Sequence, residues 1–267
     1  MALINKTVIN PNFQPQNNKQ AYLAYLNGLD IDLPAPRTTE ETLLYNLCVN
    51  GGASGNGDVA DAVVFTARDE SGHPTAVDAS GLTVLHTSQF YSGRSDCPCW
   101  TVKTFKLPKG ITEIPDFVFA YCANMESLDI PNGVTRIGDS AFIGCTQLKS
   151  VAIPATATEI AKKAFYDCSA LETVTIPNGV TKIGDSAFRG CSSLASFTFP
   201  ESVVEIGSQI FYGCNVLASI TFEGVPSELS TIAFLGSDIT DIYVPWSEGE
   251  VVGAPWGATS ATVHYGG

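Results

Sequence analysis

Residues 130–153 read IPNGVTRIGDSAFIGCTQLKSVAI, and residues 153–176 and 176–199 repeat the framework positions of this pattern. A period of 23 residues joins the three segments, and the same period places four residue types in regular columns. Internal repeats of this length predict a solenoid, in which each coil buries its apolar face against its neighbours. The columns are Cys99, Cys122, Cys145, Cys168, Cys191 and Cys214; Phe119, Phe142, Phe165, Phe188, Phe211 and Phe234; Pro108, Pro131, Pro154, Pro177 and Pro200; Ile114, Ile137, Ile160, Ile183 and Ile206.

Each repeat contains a strand pattern followed by turn signals. Residues 150–154 (SVAIP) and 173–177 (TVTIP) alternate apolar and polar side chains, which predicts a strand of about five residues that ends at the proline. An Asn-Gly pair then turns the chain at 132–133 and 178–179. Asp139 and Ser140 are good helix N-cap types, the Ala141-Phe142 pair suits one helical or 3₁₀ turn, and Gly144 fits its end.

The repeats number about seven. Five clean units start at the five prolines of the column, and a sixth, over 223–244, has Ser237 in place of the cysteine. A degenerate first unit begins near Gly81, and six extra residues around 94–100 form an insertion on one face. The expected solenoid is therefore long enough to enclose one continuous core.

The repeated pattern I-P-x-x-V-x-x-I-G-x-x-A-F-x-x-C-x-x-L-x-x-[VL]-x-I resembles the BspA-like, or treponemal-type, leucine-rich repeats. The resemblance covers residues 79–245. It implies a curved solenoid with a role in adhesion or partner binding, and it carries no catalytic residues. We expect an α/β leucine-rich-repeat solenoid of 23-residue coils with a parallel sheet on one face, N-terminal helices and end caps.

The chain outside the repeats divides into four further segments. Residues 1–50 are expected to be a helical attachment segment, with short helices over 17–29 and 38–49, and residues 51–57 form a glycine-rich linker. Residues 58–78 predict a strand, a turn and a second strand that cap the first coil, ahead of repeats over 79–244. Residues 245–267, with Trp246, Trp256 and Tyr265, are expected to cap the other end.

The N-terminal segment, from residues 19–28 (KQAYLAYLNG) onward, resembles short leaders on phage or prophage tail-associated proteins of gut bacteria. This resemblance implies attachment of the chain to a particle, or to copies of itself, through residues 1–50. Polar Asn and Gln follow residues 1–6 where a signal peptide would have an apolar region, so no signal peptide is expected.

The composition excludes several classes of function. The chain has 14 Lys and Arg against 27 Asp and Glu, and its net charge of −13 argues against nucleic-acid binding, which depends on cations that neutralise phosphates. No apolar run approaches the 18 residues of a membrane-spanning helix, so membrane insertion is not expected.

The spacing of the cysteines predicts a structural ladder rather than a metal site. A zinc site needs paired ligands, whereas this chain places one cysteine in each coil. Parallel side chains at coil spacing also fit the geometry of a disulfide badly. We expect buried reduced thiols at Cys122, Cys145, Cys168, Cys191 and Cys214. Cys97 lies outside the column and is either an exposed thiol or a locally paired one.

Catalytic and cofactor patterns are missing from the sequence. The three histidines (His73, His86 and His264) are scattered, and no G-x-S-x-G, H-E-x-x-H or P-loop motif occurs. The prediction is that the protein is not an enzyme, has no catalytic or metal-binding residues and needs no cofactor.

The outward positions of the predicted strands form the candidate binding face. Small hydroxyl side chains dominate these positions, and such a flat array can bind a partner, order water as in ice-binding proteins, or simply suit an exposed sheet. The candidate residues are Lys106, Asp129, Thr175, Thr198, Thr221 and Tyr243. A second column, Glu113, Arg136, Glu159, Lys182 and Glu205, alternates in sign and predicts an ion-pair ladder.

These patterns together predict a non-enzymatic binding protein that recognises a protein or glycan on a cell surface. The preferred setting is a phage or prophage tail, which would place the chain in a virion. Two alternatives remain: a purely structural virion component, and an exported adhesin on a bacterial cell surface.

Overall fold

The computed structural model describes residues 64–70, 74–82, 84–85, 90 and 101–266. The two predicted N-terminal helices, the predicted glycine-rich linker and the predicted insertion at 94–100 lie outside these residues. Sixteen strands occur in the described part of the chain. They are β1 (Val64–Arg68), β2 (Pro74–Asp78), β3 (Thr104–Lys106), β4 (Glu113–Ile114), β5 (Ser127–Leu128), β6 (Arg136–Ile137), β7 (Ser150–Ala152), β8 (Glu159–Ile160), β9 (Thr173–Thr175), β10 (Lys182–Ile183), β11 (Ser196–Phe199), β12 (Glu205–Ile206), β13 (Ser219–Phe222), β14 (Glu228–Leu229), β15 (Asp241–Val244) and β16 (Thr262–Tyr265).

The chain forms a parallel β-solenoid of about seven coils, and each coil has three sides. The longer strands, from β2 and β3 through to β15 and β16, form the strand face. Six of the two-residue strands (β4, β6, β8, β10, β12 and β14) form a second, parallel sheet, here called the charge face. The irregular segment that follows each two-residue strand, such as 116–121 or 139–144, forms the turn face. The expected parallel sheet lies on the strand face, and the charge face carries a second parallel sheet in addition.

Neighbouring coils pair in register on the strand face. Ser150 pairs with Thr173 and Ala152 with Thr175, while Ser196 pairs with Ser219 and Thr198 with Thr221. Each pair joins residues 23 apart, so the sequence period sets the register of the sheet. Alternate residues point inward, and Val151, Phe197 and Ile220 are buried in the core.

The turn face replaces the helical turn that the sequence predicted. The described residues contain no α-helix, so the α/β assignment is wrong for this part of the chain. Ser140 has a φ of +53° and therefore cannot begin a helix as an N-cap. Its N–H donates instead to the carbonyl of Lys162 in the next coil, 3.0 Å away. Alternate N–H groups of residues 140–145 donate to the next coil in this way, and the others donate to the carbonyl three residues earlier in the same coil.

Two columns on the turn face adopt left-handed backbone conformations. The first contains Phe117, Ser140, Lys163, Ser186 and Gln209, and the second contains Tyr121, Gly144, Asp167, Gly190, Gly213 and Gly236. Gly144 ends its turn with a φ of +69°, as its position in the repeat predicts. An aspartate also assists the stacking, because Asp116 Oδ1 accepts a hydrogen bond of 2.7 Å from the N–H of Asp139.

One continuous core fills the space between the three faces. The phenylalanine rings from Phe119 to Phe234 are fully buried and stack along the solenoid axis. Ring centroids are 5.1 Å apart for Phe142 and Phe165, and 5.4 Å apart for Phe165 and Phe188. Each repeat therefore buries its ring only when a neighbouring coil supplies the next one.

The two ends of the solenoid differ from each other. The strands β1 and β2 form an antiparallel hairpin, and β2 pairs in parallel with β3, which agrees with the strand pattern predicted within 58–78. At the other end, β16 extends the strand face by pairing in parallel with β15. Trp246 and Trp256 are buried there and pack against Phe222 at centroid distances of 5.1 and 6.3 Å. The C-terminal segment thus adds another, irregular coil.

Candidate binding surfaces

The strand face brings the predicted binding residues into one row. Five of them are exposed, and Thr221 is half-buried. Asp129 bridges to Ala152, which pairs with Thr175, and Thr221 pairs with Thr198 on one side and Tyr243 on the other. The row is mostly uncharged between Asp129 and Tyr243, as expected for a surface of small hydroxyl groups.

Lys106, the charged residue at the N-terminal end of this row, is already paired. The ammonium group of Lys106 lies 2.8 Å from Asp78 Oδ2. Hydrogen bonds from Lys106 and then from Ser80 lower the pKa of Asp78 to about 2. Lys106 is therefore part of a local ion pair at the start of the row, and it is not free for a ligand without breaking that pair.

An aromatic cluster at the other end was missed by sequence reasoning. Tyr243 and His264 stack with their ring centroids 4.6 Å apart, and His264 Nε2 lies 2.7 Å from Asp241 Oδ1. The hydrogen bonds from His264 and Thr240 lower the pKa of Asp241. His264 looked isolated in the sequence because β16 does not follow the repeat pattern. Only its spacing of 21 residues from Tyr243, close to the period, hinted at this pairing.

The charge face contains the predicted ladder in register. Glu113 pairs with Arg136, Arg136 with Glu159, and Lys182 with Glu159 and Glu205. The side chain of Lys182 lies 3.2 Å from that of Glu205, and Arg136 Nε lies 3.5 Å from Glu159 Oε2. The ladder ends in a like-charge pair, because Glu228 follows Glu205.

Arg136 joins the charge face to the turn face. Its guanidinium contacts Asp116 at 2.9 Å and Asp139 at 3.3 Å, in addition to Glu159. Partial burial disfavours its charged form, but the hydrogen bond to Asp116 and the surrounding carboxylates outweigh this and raise the pKa of Arg136. A structural role in tying coils together follows from these contacts.

The turn face presents a second surface, which sequence reasoning did not identify. Tyr166, Arg189 and Tyr212 occupy one column in three successive coils, and the guanidinium of Arg189 lies between the two rings. Burial raises the pKa of the neighbouring Asp167 carboxyl, and the charge of Arg189 opposes that rise. The 23-residue spacing was the available signal, but the column mixes residue types and so did not stand out.

The cysteine ladder lies inside the core. The five thiols from Cys122 to Cys214 are free and fully buried, and each donates to a phenylalanine carbonyl 26 or 32 residues earlier at 3.1 to 3.3 Å. Burial raises the pKa of Cys214 to about 12 and that of Cys168 further. With a raised pKa, Cys168 and Cys214 stay protonated at neutral pH, which makes them poor nucleophiles and poor metal ligands.

The described residues contain neither a candidate metal site nor a helix that could span a membrane. No three His, Cys, Asp or Glu side chains in 64–70, 74–82, 84–85, 90 and 101–266 are grouped so that they could hold a metal ion. No helix in this same part of the chain is long and apolar enough to cross a membrane.

Three solved structures resemble this chain. The T. pallidum leucine rich repeat protein is 27% identical over 61% of this chain and 69% of its own, with a TM-score of 0.46. A leucine-rich repeat protein from Bacteroides ovatus is 22% identical over 63% of this chain and 55% of its own, with a TM-score of 0.41. The pneumococcal vaccine antigen PcpA is 20% identical over 61% of this chain and 41% of its own, with a TM-score of 0.51, a likeness of fold.

A family comparison gives the more direct evidence. No curated protein sequence matches the chain. Residues 112–241, however, match the family described as a BspA type leucine rich repeat region, in six copies. The match covers the coils in which the register, the phenylalanine stack and the cysteine ladder are most regular. Over residues 112–241 the chain is therefore similar to the BspA type leucine rich repeat region.

Proposed function

We propose that this protein is a non-enzymatic recognition scaffold, and that the strand face binds a protein or glycan on a cell surface. The observation that carries the proposal is the row of outward side chains from Asp129 to Tyr243, held in register by parallel pairing. The backbone beneath the row is hydrogen-bonded from coil to coil. A surface preorganised in this way loses little conformational entropy when it binds a partner.

The proposed setting is a phage or prophage tail, with residues 1–50 as the attachment segment. It rests on the leader resemblance, which falls outside the described residues. An exported adhesin on a bacterial cell surface is an equal alternative, because a BspA-type repeat region suits either setting. Sequencing the genes beside this one separates them: tail and baseplate genes support the virion, and secretion or anchoring genes support the adhesin.

The binding test uses the full chain on intact bacteria and on isolated cell envelopes. We expect saturable binding that the double variant Thr175→Arg, Thr198→Arg abolishes, because two long cations interrupt the flat hydroxyl row. Thr112→Arg is the matched control, since it adds the same side chain at an exposed position on the charge face. Equal loss in the control, or no binding by the unaltered chain, would contradict the proposal. The second result would favour a structural spacer within a virion.

A further inference from the structure

A ridge on the turn face combines aromatic and basic side chains. The guanidinium carbon of Arg189 lies 5.5 Å from the ring centroid of Tyr166 and 4.3 Å from that of Tyr212. The ammonium of Lys163 lies 5.7 Å from the Tyr166 centroid, so the ridge begins with a second cation. Cation–π contacts of this kind fix the long Arg189 side chain in one place.

The stacking decides which groups the ridge offers to a ligand. The guanidinium of Arg189 lies over the ring of Tyr212 in the next coil. The Tyr212 ring in turn lies against Gly236 in the coil after that. The ring faces are thus occupied, although 41% of Tyr212 is exposed. The guanidinium carbon lies over the two rings, which leaves the N–H donors of Arg189 as the groups that can meet a ligand. No side-chain hydrogen bond or salt bridge joins Arg189 to another residue of the described chain.

The N–H donors of Arg189 match an anionic group. A guanidinium presents parallel N–H donors that bind a carboxylate in two-pronged fashion, and here the flanking tyrosines hold the fork in place. The positive charge of this ridge is also distinctive, because the chain as a whole has a net charge of −13. Lys163 and Arg189 stand on this ridge with Asp167 as the neighbouring carboxylate, and neither cation forms a salt bridge within the described part.

The backbone hydrogen bonds of the turn face restrict the class of ligand that can bind there. The N–H of Asp167 donates to the carbonyl of Arg189, and the N–H of Gly190 donates to the carbonyl of Tyr212. Coil stacking uses these groups, so a peptide cannot add to this face as a further strand. A ligand must bind through side-chain donors alone, repeated at the coil spacing of about 5 Å. A linear polymer with regularly repeated carboxylates and hydroxyls meets that condition.

We propose that the ridge formed by Lys163, Tyr166, Arg189 and Tyr212 binds a linear anionic polysaccharide that carries carboxylate groups. The proposal rests on the recognition function proposed above, but it assigns the carbohydrate to the turn face. Arg189 supplies a two-pronged contact to a carboxylate, Lys163 neutralises the next one along the polymer, and the tyrosine rings keep both cations extended. Asp167 opposes binding through its negative charge.

The test measures the affinity of the full chain for polygalacturonate, with neutral dextran and polyglutamate as comparison polymers. We expect Arg189→Gln to weaken polygalacturonate binding about tenfold or more, as the loss of charge-assisted hydrogen bonds does. Arg189→Lys should recover only part of the affinity, because it keeps the charge but not the fork. Asp167→Asn should strengthen binding. Lys109→Gln is the matched control, since Lys109 is exposed and lies outside the ridge.

Several results would overturn this assignment. Equal binding to dextran would remove the role of the carboxylates, and tighter binding to polyglutamate would indicate an acidic protein as the ligand. Equal weakening by Lys109→Gln would show only attraction by overall charge. If Arg189→Gln leaves polygalacturonate and envelope binding unchanged while the Thr175→Arg, Thr198→Arg variant loses envelope binding, the ridge assignment fails and the strand-face proposal stands.

Discussion

The strand face and the turn face are built at the same pitch on the same core, but they use opposite side-chain chemistry. On the strand face, residues in extended conformation project small hydroxyls such as Thr175 and Thr198. On the turn face, left-handed residues and glycines let large side chains lie across the next coil, as Tyr212 lies over Gly236. Extended strands leave a flat surface. The glycines of the turn face leave space that long side chains of the neighbouring coil fill.

This difference shows how a repeat protein can vary its surface without changing its core. The inward residues of both faces are apolar in every coil, because each stacks on the residue at the same position of the neighbouring coil. The outward residues need only fit the local backbone. The two faces can therefore bind different ligands while they depend on the same core for stability.

The largest expected effect comes from the core that both faces share. Phe165→Ala removes a fully buried ring from the stack and should lower the free energy of unfolding by about 3–5 kcal/mol. Thr175→Ala, on the strand face beside it, should change stability by less than about 0.5 kcal/mol. Denaturant unfolding measures both. Hydrogen exchange should show faster opening on both faces in the Phe165→Ala variant; acceleration confined to one face would mean that the two faces do not share one core.

A smaller effect should be confined to the backbone of the turn face. Gly190→Ala places a side chain where φ is +74° and where the Asp167 carboxyl already lies. We expect a loss of about 1–3 kcal/mol in thermal or denaturant unfolding. Gly110→Ala is the matched control, because its backbone needs no left-handed conformation and a Cβ there meets nothing within 4 Å. Equal stability of the two variants would show that the turn face tolerates side chains and is not shaped by its glycines.

The charge face provides the next test, since Arg136 reaches from it to the turn face. Arg136→Glu replaces contacts with Asp116, Asp139 and Glu159 by like charges in register. The loss should be about 1–2 kcal/mol at low salt and smaller at high salt, where surface charges are screened. Lys109→Glu makes the same change of charge away from the ladder and should cost less than about 0.5 kcal/mol. A loss that salt leaves unchanged would indicate broken packing instead of a charge ladder.

Most of the solenoid could be predicted from the sequence, because stacking makes distant contacts periodic. The columns of Phe, Cys, Pro and Ile located the core, and the alternation of residues 173–175 located the strand face. The helical turn was wrong for a physical reason. Asp139 and Ser140 have the side chains of an N-cap, but their N–H groups find acceptors in neighbouring coils, which local propensity does not include.

For the same reason, the sequence predicted one of the binding surfaces and not the other. The strand-face row follows from period and alternation alone. The ridge depends on unlike residues in one column, Tyr166, Arg189 and Tyr212, which become meaningful only when the coils are stacked. The pairing of Tyr243 with His264 depends on β16, whose sequence no longer follows the repeat. In each case the missing information was contact between coils.

The smallest predicted effects compare one aspartate on each face. On the strand face, Lys106 and Ser80 hold the pKa of Asp78 at about 2, so its stabilising contribution is present at neutral pH and is lost as the pH falls from about 4 to about 2. On the turn face, burial raises the pKa of Asp167 despite Arg189. Its protonated form therefore favours the fold, and that contribution is present at low pH and is lost as the pH rises through the raised pKa.

Two variants isolate these opposite contributions. Asp78→Asn should destabilise the chain at neutral pH, and its deficit against the unaltered chain should vanish as the pH falls to about 2. Asp167→Asn should stabilise the chain at neutral pH, and its advantage should shrink on acidification. Both effects should stay below about 1 kcal/mol, because solvent screens these groups. Unfolding curves from pH 2 to pH 7 measure the differences. Changes of the same sign in the free energy of unfolding would contradict this comparison. They would mean that the ion pair of Asp78 and the partial burial of Asp167 do not have opposite effects on stability.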